Sequence, residues 1–172
     1  KDVADQMTEQ LIGRVVELRR AGVEPTLAIV RVGEKGDDIY YERGALKRAE
    51  KIGVRVIVRV LPEDVSQETL IHEIEKINQD DQVHGCLLFR PLPGHLDEEA
   101  ICDTLRPEKD VDGISSASMA GVFTGSRTGF APCTAEATLA MLKHNRIPIK
   151  GARTAVIGRS LVIGKPVAMM LL

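Results

Sequence analysis

Hydrophobic positions change their period several times along the chain, and each change marks an element. In "DVADQMTEQLIGRVVELRRA" (2–21), Val3, Met7, Leu11, Val15 and Leu18 recur at three- and four-residue steps. That spacing predicts an amphipathic helix, stopped by Gly22. "TLAIVRVG" (26–33) suits a strand and ends on glycine; helical periodicity then returns over 38–52, with Gly53 as its stop. "VRVIVRVL" (54–61) alternates up to Pro62, a second strand. "SQETLIHEIEKIN" (66–78) opens with Ser-x-x-Thr, a near miss of a capping box, and carries Leu70, Ile71, Ile74 and Ile77 on one side. "VHGCLLF" (83–89) is a continuous apolar run, as expected of a strand buried on both faces.

The resulting order, α-β-α-β-α-β, predicts a layered α/β domain with a mainly parallel sheet. From Arg90 to Pro132 the pattern gives way to a loop-rich segment holding one short helix near 97–105. A helix over 134–145, a strand over 154–157, a glycine loop and a last helix follow. One strand and one helix cannot bury both faces of a sheet, so 134–172 reads as the beginning of a second domain whose remainder is absent.

Composition narrows the partners. The chain is 44% hydrophobic and 28% charged, which suits a globular protein with a core. Its net charge of −2, with two Tyr, three Phe and no Trp, argues against a nucleic-acid binder or a polybasic membrane anchor. No apolar run is long enough to span a membrane and no signal peptide is evident, so a soluble cytoplasmic protein is expected. Cys86, Cys102 and Cys133 form no C-x-x-C pair, and the four histidines lack ligand spacing. Reduced thiols and no metal site are the expectation.

The most suggestive local stretch is "TAVIGRSLVIGKP" (154–166). It is one residue too long between glycines for a phosphate-binding P-loop, and Pro166 stands where that loop needs a hydroxyl. It also misses a strict GxGxxG. Yet a strand, a glycine at its end and a helix N-terminus aimed back at the turn are the setting a dinucleotide fingerprint requires. Pro166 suits the first helical turn, and free amides there favour an anion. Arg159 and Ser160 could hold a phosphate on the adenosine ribose, which points to NADP. The loop alone leaves a plain strand-to-helix turn equally open.

Several motifs in register change that balance. "VHGCLLFRPLPGH" (83–95), "RPEKDVDGIS" (106–115), "APCTAEAT" (131–138) and "KGARTAVIGRSLVIGKPVAMMLL" (150–172) resemble the methylenetetrahydrofolate dehydrogenase/methenyltetrahydrofolate cyclohydrolase family, from about Pro25 to the last residue. The resemblance implies a catalytic, folate-binding domain over 1–133 and the start of a Rossmann-type NADP-binding domain over 134–172. It also implies a tetrahydrofolate substrate, NADP as cofactor, a homodimer, and a role in one-carbon metabolism and purine biosynthesis. Asp112 matches the aspartate that hydrogen-bonds the pterin ring, and Gly158, Arg159 and Ser160 match the NADP-binding turn.

Two departures stand out. The family's Tyr-x-x-x-Lys aligns its tyrosine with Tyr41, and Ala45 occupies the lysine position; Tyr40 replaces Tyr41 only under a one-residue shift. Where the family reads Val-Gln-Leu-Pro, this chain has Leu88, Phe89, Arg90 and Pro91, so Phe89 replaces the glutamine. Tyr41, Leu88, Phe89, Arg90 and Asp112 are therefore the expected substrate-binding residues, with Tyr41 and Asp112 as the catalytic pair. Lys47 lies about 120° from Tyr41 around a helix, against about 40° for position 45, and should point away. Methylene oxidation depends mainly on positioning, whereas hydrolysis of the methenyl ring needs proton transfer. The expected activity is NADP-dependent oxidation of 5,10-methylenetetrahydrofolate with weak or absent cyclohydrolase activity. A fully bifunctional enzyme repacked around Arg90 or Lys47, an NADP-linked enzyme with a non-folate substrate, and a non-catalytic fragment are the alternatives.

Overall fold

A computed structural model describes residues 2–172, which divide into two compact units at Leu105/Arg106. In the first, α1 (Asp2–Arg20), β1 (Thr26–Val32), α2 (Gly36–Ile52), β2 (Arg55–Leu61), α3 (Gln67–Gln79), β3 (Gly85–Leu88) and α4 (Glu98–Thr104) follow in sequence. The three strands form one parallel sheet in the order β2-β1-β3. This is the expected α/β architecture, with β1 central and nearly all of its side chains buried.

The sheet and its helices assemble as the apolar pattern requires. Ile29 and Val30 on β1 are fully buried, as are Leu70 and Ile74 on α3 and Ile101 on α4. Ser66 caps α3, its hydroxyl accepting from the Thr69 amide at 3.2 Å, so the incomplete capping box still functions as a cap. Asn78 Nδ2 donates to the Thr104 carbonyl at 2.7 Å and ties α3 to α4. On α1 the apolar stripe is only partly covered: Val15 is buried, while Met7 and Leu18 remain exposed.

The second unit contains a 3-10 turn at Pro107–Lys109 and helices α5 (Ser116–Thr124), α6 (Cys133–His144) and α7 (Gly164–Met170). Helix α5 falls inside the stretch read as loop. It is capped by Ser115, whose hydroxyl accepts from the Ser118 amide, and it buries Ser118 and Gly121 where an apolar stripe would be expected. The strand expected over 154–157 is not formed. Among the described residues this unit has no other strand to pair with it, and Ile157 is fully exposed. A strand without a neighbour leaves its backbone groups to water and gains no ladder. No helix among the described residues is long and apolar enough to cross a membrane.

Candidate active site

Parallel α/β sheets place ligands outside the carboxyl ends of their strands, and the first unit holds four of the five expected substrate-binding residues near those ends. Leu88, buried at the end of β3, pairs with Val30 of β1. The Phe89 amide extends the ladder by donating to the Val30 carbonyl at 2.9 Å. Phe89 is itself buried, and its ring meets that of Tyr41 edge-on, with centroids 5.4 Å apart and planes at 67°. Tyr41 is 63% exposed and so presents the rest of its ring outward from α2. One turn later Ala45 is half-buried.

Lys47 has a different setting. With Arg43, Leu46 and Glu50 of α2 and with Val54 and Val56, it lines a groove that includes neither Tyr41 nor Phe89. A buried ion pair holds α2 against the sheet: Arg31 Nε donates to Glu42 Oε2 at 2.8 Å, and the same guanidinium donates to the Gly33 carbonyl. Neither Arg31 nor Glu42 was among the residues expected at the site. Their signal was an arginine inside the apolar run "TLAIVRV" and a glutamate directly after Tyr41.

Arg90 follows Phe89 and is joined to Pro91 by a cis peptide bond. Its side chain is three-quarters buried, and its guanidinium pairs with Glu98 of α4, with Nη1 and Oε1 3.4 Å apart. The other carboxylate oxygen of Glu98 accepts from the Leu92 amide at 2.8 Å, and Lys35 Nζ donates to the Pro91 carbonyl at 3.3 Å.

Asp112 lies in the second unit, half-buried, on a loop built around Asp110. Asp110 is completely buried and accepts four hydrogen bonds: from the Ile114 and Ser115 amides at 3.0 and 2.9 Å, and from the Ser115 and Ser118 hydroxyls at 2.7 and 2.6 Å. Gly113 completes the turn with φ +62°. A Cβ there would stand 2.5 Å from the Phe130 carbonyl oxygen and 2.6 Å from the Pro132 nitrogen, so only glycine fits.

Cys133, at the start of α6, donates from Sγ to the Val111 carbonyl at 3.3 Å. Partial burial of the thiol, and then the neighbouring Asp112 carboxylate, push its pKa up to about 11. At pH 8 its thiolate fraction should be about a hundredfold below that of an ordinary thiol. Slow alkylation by iodoacetamide at pH 8, accelerating toward pH 11 and partly recovered in Asp112→Asn, is the expected result by mass spectrometry.

The glycine loop closes on itself. The Ser160 hydroxyl accepts from the Ile163 and Gly164 amides at 3.1 and 3.4 Å, and its carbonyl accepts from the Lys165 amide at 3.0 Å. These amides are thus already engaged by the loop itself, contrary to the free set expected for an anion. Gly164 packs on the Gly158 backbone so closely that a Cβ would collide with the Gly158 carbonyl oxygen. The exposed Arg159, with Lys165, lines a cavity of about 390 Å³ whose walls include Met119, Val122, Phe123 and Val156. Two cations beside apolar walls are chemically suited to a phosphate joined to a flat ring.

A parallel α/β unit with the expected substrate-binding residues near its strand ends, followed by a unit carrying a glycine turn before a helix, defines a two-part α/β protein. The family described as "Tetrahydrofolate dehydrogenase/cyclohydrolase, catalytic domain" matches residues 1–112, and its "NAD(P)-binding domain" matches 132–172. The chain belongs to the tetrahydrofolate dehydrogenase/cyclohydrolase family. It is 49% identical over 172 residues to the bifunctional protein FolD of Clostridioides difficile (strain 630), covering all of this chain and 60% of that protein. The crystal structure of the bifunctional enzyme FolD from Campylobacter jejuni superposes with a TM-score of 0.96 at 32% identity, covering 99% of this chain and 61% of the other. The Trypanosoma brucei methylenetetrahydrofolate dehydrogenase-cyclohydrolase, complexed with NADP cofactor and inhibitor, gives 0.91 at 31% identity, covering 99% and 59%. The chain thus spans about three-fifths of the length of these relatives.

Proposed function

We propose that the full-length protein oxidises 5,10-methylenetetrahydrofolate to 5,10-methenyltetrahydrofolate with NADP and hydrolyses the methenyl product weakly or not at all. The observation that carries this reading is the edge-on contact between Tyr41 and Phe89, with Ala45 one turn along α2. Positions 45 and 89 offer a methyl group and a phenyl ring, neither of which can hold or move a proton. Tyr41 supplies exposed ring surface to orient a flat folate, Leu88, itself buried, supports the strand end beside it, and Asp112 supplies a carboxylate to receive the folate's ring N–H groups. NADP, when bound, supplies the hydride acceptor. Arg159 and the Ser160 hydroxyl would hold its adenosine phosphate, with Gly158 leaving room for the backbone turn.

The catalytic domain in this reading runs to Cys133 and the NADP-binding domain begins at Thr134. The homodimer implied by the resemblance and the cytoplasmic setting expected from the sequence belong to the same reading. Parallel assays of the full-length protein on methylene- and methenyltetrahydrofolate test it. Hydrolysis should run well below oxidation, because general acid–base help, typically worth about 10²–10⁴-fold to the hydrolytic step, is missing. Comparable rates would overturn the loss of hydrolysis, and no NADP-dependent oxidation would overturn the whole reading.

A further inference from the structure

The loop Phe89–Pro93 carries two of the expected substrate-binding residues, Phe89 and Arg90, and one side chain holds it from two directions. Glu98, in the first turn of α4, accepts from the Leu92 amide at 2.8 Å through Oε2 and pairs with Arg90 through Oε1. A carboxylate in the first turn of a helix is itself favoured there. Arg90, whose side chain is largely buried, would otherwise place an unpaired positive charge directly after Phe89.

That charge matters for the chemistry proposed above, on which this inference rests. Loss of a hydride (one hydrogen nucleus with two electrons) from the one-carbon bridge to the nicotinamide turns a neutral aminal into an amidinium cation. An unneutralised guanidinium nearby would oppose the cation as it forms. We propose that Glu98 is a positioning residue with two effects: it anchors the Leu92 amide, and it cancels the charge of Arg90 so that the folate side of the site tolerates a cationic product.

Glu98→Gln separates the two, because the amide oxygen can still accept from Leu92 while the charge is lost. In the full-length protein, binding is measured for methenyltetrahydrofolate, the cation, and for tetrahydrofolate, which lacks that charge. The ratio of the two affinities cancels changes in folding that affect both ligands alike. Glu98→Gln should weaken the preference for the cation about threefold to tenfold, as expected for one charge at short range in a partly screened site. Arg90→Leu, which leaves Glu98 unbalanced, should move the ratio the other way, and the double variant should return it to within about twofold of the starting value. An unchanged ratio in both single variants, or a double variant no better than Glu98→Gln, would overturn the charge-balancing role. If the unaltered protein binds neither folate, the functional reading fails and this inference with it.

Discussion

The double substitution Ala45→Lys, Phe89→Gln is expected to raise methenyltetrahydrofolate hydrolysis in the full-length protein about a hundredfold, with methylene oxidation changed by no more than about threefold. Position 45 lies one helical turn beyond Tyr41, about 40° around α2, so a lysine there can share the face of the tyrosine ring. Position 89 already touches that ring. The two new side chains would therefore flank Tyr41, one able to give and take a proton and the other able to hold it by a hydrogen bond. Phe89 is buried, so its replacement should cost stability, about 3 kcal/mol by analogy with other large-to-small core changes. Rates must accordingly be compared below the melting temperature of the weaker protein. Lys47→Ala serves as the control: Lys47 lines a different groove, and neither rate should move by more than about twofold. A folded double variant without gained hydrolysis would show that the missing lysine and glutamine are not what limits that reaction.

What could be read in advance follows from where the information lies along the chain. The sheet and the helices around it announce themselves locally, because β1 is a short continuous run of buried residues and α3 buries one set at helical spacing. Helix α5 does not, since it packs through small residues: Gly121 lies against the Thr128 backbone and Ser118 against Asp110, and neither contact leaves an apolar stripe. The segment 154–157 shows the opposite case. Its composition suits a strand, but strand formation depends on a partner that local sequence does not report.

The site divides in the same way. Tyr41, Phe89 and Asp112 stand out as candidates because they sit in motifs, and the replacement at position 45 stands out because a helix fixes what stands four residues on. Glu98 does not. Its role comes from the loop folding back to bring the Leu92 amide and the Arg90 guanidinium to one carboxylate. The pair Arg31–Glu42 is only half legible: an arginine inside the apolar run of β1 signals a need for a partner, but not which of several acids eleven or so residues away supplies it. Both examples are tertiary facts about polar groups, for which burial, not spacing, sets the requirement for a partner.

Asp110→Ala is expected to destabilise the second unit by at least about 3 kcal/mol. The native carboxylate is fully buried and satisfies two backbone amides and two hydroxyls, and alanine would leave all four facing an apolar methyl group. The hydroxyls can rotate toward other acceptors, but the Ile114 and Ser115 amides are fixed by the turn and cannot. Asp110→Asn should cost less, because its carbonyl oxygen still accepts and the rotated Ser115 and Ser118 hydroxyls can receive its amide protons. Ser118→Ala removes one donor and leaves the carboxylate three others, so about 1 kcal/mol is expected. Urea unfolding should therefore rank the variants Ala, then Asn, then Ser118→Ala, from most to least damaging. The same order should appear in the loss of folate affinity, because Asp112 is carried two residues along the loop that Asp110 organises. If Asp110→Ala unfolds like the unaltered protein, the buried carboxylate does not hold this loop. If it loses stability while folate affinity stays unchanged, Asp112 is not the group that receives the folate.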